Sequence, residues 1–324
     1  MADPVIVMPP SRNLEADVVA IARQMLPPGF ELRLIPADRL SDALRDADYL
    51  MGFIGLLDDE TLAGARRLRL VQLLSVGYDR FNLAGARAAC VPVAVNGGAN
   101  AIAVAEHAIM LMMATLRHLT ELDAGVRAGR WSSGSRRLYE LWSSTIGIVG
   151  MGRIGQEVAQ RLAGWGATLV YFDPVRLARE RERELGVGFV SLEALLERAD
   201  VVTVHVPLSI ATRQLLDARA LARMKPTAVL VNTSRGELVD EAALADALRG
   251  GRIGAAGLDV LSAEPPPPSH PLLSTPNTVL TPHVAGPTWQ SWPRRFGNAY
   301  ANITRVQRGE RPQWVVPELA DLIH

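Results

Sequence analysis

The stretch "TIGIVGMGRIGQEVAQRLAGWGATLVYFDP", Thr145 to Pro174, decides the fold. Thr145 to Val149 form an apolar run that reads as a buried strand. Gly150, Gly152 and Gly155 follow at the spacing GxGxxG, and Gln156 to Leu162 continue as a helix. Each glycine has its own reason: a tight turn, close approach of backbone to a pyrophosphate, and close packing of helix on strand. The helix start then offers unpaired N–H groups to phosphate oxygens. The next strand, "TLVYF", ends at Asp173, 18 positions beyond Gly155, where an acid can accept both hydroxyls of an adenosine ribose. Strand, glycines, helix and acid in this order predict a dinucleotide site. Asp173 would repel a 2′-phosphate, which favours NAD over NADP, although Arg176 three residues on leaves NADP open.

On either side of this unit, short β-branched runs alternate with helical patterns, the sequence form of a parallel sheet covered on both faces and hence of an α/β fold. "VIVM", "YLMGFI", "LVQLLS" and "VPVAV" are the early strands. "NAIAVAEHAIMLMMATLRHL" then reads as a long, largely buried helix that could join two domains, with Asn100 as its N-cap. His107 inside it reads as a satisfied interior histidine. After the polar loop "RAGRWSSGSRR" a second series of strands and helices runs to Gly286, and "WQSWPRRFGNAYANITRVQRG" closes as a helix. The charge run from Arg179 reads as a solvated helix face.

Composition narrows the function classes. The 324 residues are 48% hydrophobic and 21% charged, enough for one large or two ordinary globular domains. Thirty-four basic residues balance 34 acidic ones, which removes the electrostatic footprint of a nucleic-acid binder or a polybasic membrane anchor. Lys225 is the only lysine and so the only candidate Schiff-base amine. Cys90 is the single cysteine; it points to a reducing cytosol and reads as a small buried hydrophobe. The N-terminus lacks a basic segment followed by an apolar core, and no apolar run reaches about 18 residues, so a cytoplasmic protein is expected.

Three segments end predicted strands at the edge where ligands collect in open α/β sheets. "VLVNTSRGELVDEAAL" places Arg235 in a turn, "AAGLDVLSAEPP" places Asp259 at a strand end and Glu264 in a proline-stiffened loop, and "VLTPHVAG" places His283 after the last strand. Alone, His283 reads equally as a packed histidine. As a set, the three segments suit reduction of a 2-keto acid: an arginine fork holds the carboxylate and polarises the carbonyl, while a histidine braced by an acid protonates the new alcohol oxygen.

The blocks "GIVGMGRIG", "HVPLSIATRQLL", "MKPTAVLVNTSRGELVDEAAL", "GAAGLDV" and "TPHVAG" resemble, in order and over nearly the whole chain, the D-isomer-specific 2-hydroxyacid dehydrogenase family, with its glyoxylate/hydroxypyruvate reductase and phosphoglycerate dehydrogenase relatives. The resemblance implies a Rossmann cofactor domain, residues 100–286, inserted into a smaller flavodoxin-like substrate domain, residues 1–99 with 287–324, with the active site in the cleft. It implies that His283 is the acid/base paired with Glu264, that Arg235 binds substrate, and that the backbone N–H groups of Val76 and Gly77 in "LLSVGYD" hold the substrate carboxylate. Gly150, Gly152, Arg153, Ile154, Gly155, Asp173, Pro207, Thr212, Thr233 and Asp259 would contact NAD, and no metal is expected. A homodimer through the cofactor domain is implied as well.

Departures from that family shape the substrate. The stretch "YLMGFIGLLDDE" offers Phe53, Ile54, Leu56 and Leu57 where phosphoglycerate dehydrogenases carry a basic residue, so a non-phosphorylated acid is expected. Glu264 stands where formate dehydrogenases have glutamine. Phosphite oxidation stays open, although its usual site lysine has no counterpart here. Trp289 and Trp292 either line a pocket for an apolar side chain or pack as structure. Transcriptional corepressors resemble the same family and keep these residues, which leaves an NAD-sensing binding protein as the alternative class.

Overall fold

The computed structural model describes residues 3–323. Among the described residues twelve strands alternate with helices, and the chain divides into two compact units: residues up to Asn100 together with those from Pro287 on, and Ala101–Gly286. Each is built on one all-parallel sheet.

The first unit holds β1 (Val5–Met8), β2 (Glu31–Leu34), β3 (Tyr49–Gly52), β4 (Leu70–Leu73) and β5 (Val93–Ala94), in the order β2-β1-β3-β4-β5. Alternate residues feed opposite faces: Val5 and Val7 join one apolar cluster, Ile6 and Met8 the other. This is the sequence signature of a sheet buried on both sides. The helix Ser291–Gln307 covers one face with Trp292, Phe296, Ala299, Tyr300 and Ile303.

The second unit holds β6 (Thr145–Val149), β7 (Thr168–Phe172), β8 (Val187–Phe189), β9 (Val201–Val204), β10 (Val229–Asn232), β11 (Ala255–Leu258) and β12 (Thr278–Leu280), in the order β12-β11-β10-β9-β6-β7-β8. The order reverses at β6 and β9, which places a crevice at their C-terminal ends. The helix Ala101–Leu116 lies on β10 and β11, with ten of its sixteen residues buried. It breaks at His118 (φ 49°) and resumes as Leu119–Arg127 at a bend of 60°. No single helix among the described residues is long and apolar enough to cross a membrane.

Two expectations are corrected, and one strand went unread. Cys90 is exposed rather than buried. It sits just past the helix Leu83–Ala88 at φ 55°, where its N–H donates to Arg87 O (3.0 Å) and that of Val91 to Ala86 O (2.9 Å); this double closure of a helix end turns its side chain outward. Asn100 does not cap the following helix through its side chain, because its Oδ1 is buried and accepts no hydrogen bond. The strand β2 escapes sequence reading because only Leu32 of its four residues is buried, as suits a sheet edge.

Close approach of the helix Leu192–Arg198 to β6 depends on Gly147, where a Cβ would lie 2.4 Å from Leu195 Cδ2 and 3.1 Å from Ala199 Cβ. Leu195 is fully buried and cannot yield. Gly147→Ala is expected to cost about 1–3 kcal/mol through overpacking. Urea denaturation checks this: a midpoint equal to wild type would show that the helix moves freely.

Candidate active site

The turn after β6 has the shape its glycines predict. Gly150 takes φ 96°, and a Cβ there would strike the His205 carbonyl carbon at 2.7 Å. A Cβ on Gly155 would meet Gly150 O at 2.1 Å, so the helix Arg153–Leu162 sits tight on the turn. At Gly152, its N-cap, a Cβ would meet nothing within 4 Å, which leaves open space at the helix start. Arg153 and Ile154 form the first helical turn. Asp173 follows β7 and accepts from Met151 N (2.8 Å) and Val175 N (2.9 Å), so its carboxylate is fixed against the glycine turn. Arg176 is committed elsewhere, paired through Nε and Nη2 to Glu182 at 2.8 and 2.9 Å and stacked over Phe189. The hydrogen bonds from Arg176 and Tyr171 pull the Glu182 carboxyl down to about 2.

Other candidate cofactor contacts gather at the same strand ends. Thr233 follows β10, and its buried Oγ1 has no hydrogen-bond partner, an opening for a ligand donor. Thr212 Oγ1 donates to Pro207 O at 2.6 Å and so shapes the loop beyond β9. His205 in that loop is fully desolvated, which drives its imidazole down to about 3 and keeps it neutral against Thr203. An orphaned threonine, an open glycine turn and a fixed acid all fit a dinucleotide.

His283 lies at φ 55° in the loop after β12. Its Nδ1 meets Glu264 Oε2 at 2.8 Å, with the Glu264 side chain 14% and the His283 side chain 36% exposed. A left-handed histidine is unfavourable by roughly 1 kcal/mol and needs support. Asp259 supplies it. His283 N donates to Asp259 O (2.8 Å), Val284 N and Thr281 Oγ1 to Asp259 Oδ1 (2.9 and 2.6 Å), and Ala285 N to Asp259 Oδ2 (2.9 Å). His107 Nε2 stands 2.9 Å from Thr281 Oγ1 and 3.4 Å from Asp259 Oδ1. The threonine proton is already given to Asp259, so His107 is the donor. Burial would raise the Asp259 carboxyl, but hydrogen bonds from His107, Thr281, Val284 and Ala285 outweigh it and hold the group below its ordinary range.

Arg235 stands in extended conformation after β10, with Nη1 donating to Ser234 O (2.8 Å) and its carbonyl accepting from Asn232 Nδ2 (2.7 Å). Gly236 lets this turn touch the loop that carries Glu264: a Cβ there would fall 2.1 Å from Leu261 C and from Ser262 N. The same loop is clamped by Glu241, which accepts from Ser262 N at 2.7 Å and from the Ser262 hydroxyl, and stands 3.0 Å from His270 Nε2. Sequence reading named Arg235, Glu264, His283 and Asp259 but missed Gly236, Glu241 and His270; His107 is the satisfied interior histidine that was expected. Charge and hydroxyl content next to the named residues was the available signal.

In the first unit, Val76 and Gly77 occupy the half-buried turn after β4, where Ser75 Oγ donates to Gly77 O at 2.8 Å. Trp292 is buried at 3% exposure and stands edge-on to Phe53, so it packs as structure, whereas Trp289 is 60% exposed.

Residues 109–285 match the family described as D-isomer specific 2-hydroxyacid dehydrogenase, NAD binding domain. The chain is 40% identical to a glyoxylate reductase of Korarchaeum cryptofilum over 84% of its own length and 83% of the relative's. It is also 40% identical to a D-3-phosphoglycerate dehydrogenase of Mycobacterium tuberculosis, of which it spans only 52%. Among solved structures, a Thermus thermophilus protein superposes with a TM-score of 0.84 at 33% identity, covering 96% of this chain and 99% of that one. A Paecilomyces thermophila glyoxylate reductase gives 0.84 at 28% identity, covering 98% and 99%. With its fold, its glycine turn and these likenesses, the chain belongs to the D-isomer specific 2-hydroxyacid dehydrogenase family of NAD-linked oxidoreductases.

Proposed function

We propose that the protein interconverts a non-phosphorylated 2-keto acid and its D-2-hydroxy acid. The observation that carries this reading is the 2.8 Å contact of His283 Nδ1 with Glu264 Oε2, in a loop held by Asp259. NADH, when bound, supplies the hydride. His283 gives its proton to the new alkoxide oxygen in reduction and takes it back in oxidation. Glu264 keeps the ring oriented and stabilises its charged form. Arg235 holds the carboxylate and polarises the carbonyl with paired hydrogen bonds, and the N–H groups of Val76 and Gly77 take the acid end.

Substrate size and charge follow from the segment after β3. Phe53, Ile54, Leu56 and Leu57 offer no cation for a phosphate, and the glyoxylate reductase of Korarchaeum cryptofilum matches over 84% of this chain and 83% of its own length. Glu264 argues against formate, and the lack of a counterpart for the usual site lysine in a chain with one lysine, Lys225, argues against phosphite. A homodimer through the cofactor domain belongs to the same reading, and the exposed Trp131 and Trp142 of the second unit, at 89% and 67%, are apolar surface that a second copy of the chain could cover.

NADH oxidation with a panel of 2-keto acids tests the activity: glyoxylate and similar small acids are expected to turn over, and an NADH-binding protein that turns over none would refute the reading. Arg235→Lys should raise KM for the keto acid about tenfold and lower kcat by about as much, because a lysine cannot form the paired contact. NADH affinity should hold; an equal loss of it would place Arg235 in the dinucleotide site.

Asp173, with Arg176 tied to Glu182, should favour NADH over NADPH by roughly tenfold or more in Kd. Asp173→Ser should narrow that gap, and equal binding of both nucleotides by wild type would remove the role given to Asp173.

A further inference from the structure

Arg295 is a charged residue on the apolar face of a helix. It lies one turn after Ser291 in Ser291–Gln307, beside Trp292 and Phe296, and is 3% exposed. Its guanidinium carbon sits 5.5 Å from the ring centres of both Phe53 and Trp292. Nη1 donates to Leu74 O, and Nε reaches Ser291 Oγ at 3.4 Å. It forms no ion pair with any described residue, and the neighbouring charge is a second cation, Arg294. Burial first, and Arg294 after it, push the guanidinium down to about 10, which leaves it charged at neutral pH.

An unpaired buried charge is costly, and two ring contacts and two hydrogen bonds do not neutralise it. Its position supplies the explanation. Leu74 follows β4 and leads into Ser75, Val76 and Gly77, while Phe53 follows β3 at the strand-order reversal between β1 and β3. Buried Asn96 ties the Arg295 helix to that turn: its Nδ2 donates to Arg295 O (2.9 Å), and its N–H to Ser75 O (2.9 Å). The cation thus stands directly behind the turn whose N–H groups are read as the holders of an acid.

We propose that Arg295 is a positioning residue whose uncompensated charge, set behind Ser75–Gly77, strengthens the hold of that turn on the substrate carboxylate. This rests on the carboxylate-binding reading of Val76 and Gly77. The substrate anion is the missing counter-charge, and in a low-dielectric surround the attraction acts without direct contact.

Arg295→Gln keeps a donor for Leu74 O and removes the charge; Arg295→Lys keeps the charge. In the glutamine variant, KM for glyoxylate and the inhibition constant of oxamate should each rise about tenfold, with kcat and NADH Kd within about threefold of wild type. The lysine variant should recover most of the loss. Unchanged KM in the glutamine variant, or equal weakening in both, would overturn the proposal in favour of a packing role. If the glutamine variant does not fold, Arg295→Met, which fills the same aromatic slot, carries the comparison, and failure of both uncharged variants to fold would also assign the charge to structure. Wild-type protein that binds NADH but neither turns over glyoxylate nor binds oxamate would instead refute the underlying carboxylate reading.

Discussion

The site in the second unit depends on one buried carboxylate. Asp259 follows β11 and takes hydrogen bonds from Thr281, Val284 and Ala285, the flanks of His283. Those bonds sustain a left-handed histidine that a free loop would relax. The ring then meets Glu264 from the loop just beyond Asp259 itself, so a single strand end supplies both the support of the histidine and its acidic partner. His107 braces the same carboxylate from the helix Ala101–Leu116, whose seating on β11 is itself close: a Cβ on Gly257 would lie 3.0 Å from Leu111 Cβ.

Sheet topology explains why these residues converge. In a parallel sheet every strand ends at the same edge, so the turns after β6, β9, β10, β11 and β12 share it. Glycine sets how near adjacent turns come. Gly236 brings the Arg235 turn onto Leu261 and Ser262, and Glu241 and His270 fasten that loop from behind. The second unit carries the His283–Glu264 contact, and the first, described by itself, carries a buried cation behind the turn Ser75–Gly77.

What could be read from sequence was local. Gly150, Gly152, Gly155 and Asp173 lie within one strand-turn-helix-strand unit, where spacing alone fixes geometry. Arg235, Glu264 and His283 were legible because each follows an unmistakable apolar strand. The rest depends on contacts far apart in the chain. Gly236 touches Leu261 25 positions away, and His107 meets Thr281 174 positions away. Arg295 carries no local signal of burial, standing beside Arg294 in the sequence, and only the packing of its helix turns it inward. Cys90 read as buried because cysteine usually is, while the helix end that turns it outward is set by backbone hydrogen bonds.

Asp259→Asn measures the central constraint most directly. The amide nitrogen replaces one acceptor and sets a donor against the N–H of Val284 or Ala285. Since hydrogen bonds hold the native carboxyl below its ordinary range, its stabilising effect is complete at neutral pH and fades as pH falls through that depressed value. Denaturant midpoints of wild type and variant should therefore differ clearly at neutral pH and converge in acid, while kcat for keto-acid reduction at neutral pH falls about tenfold or more. A difference in midpoint that is the same at both pH values, or a variant with wild-type kcat, would contradict the account.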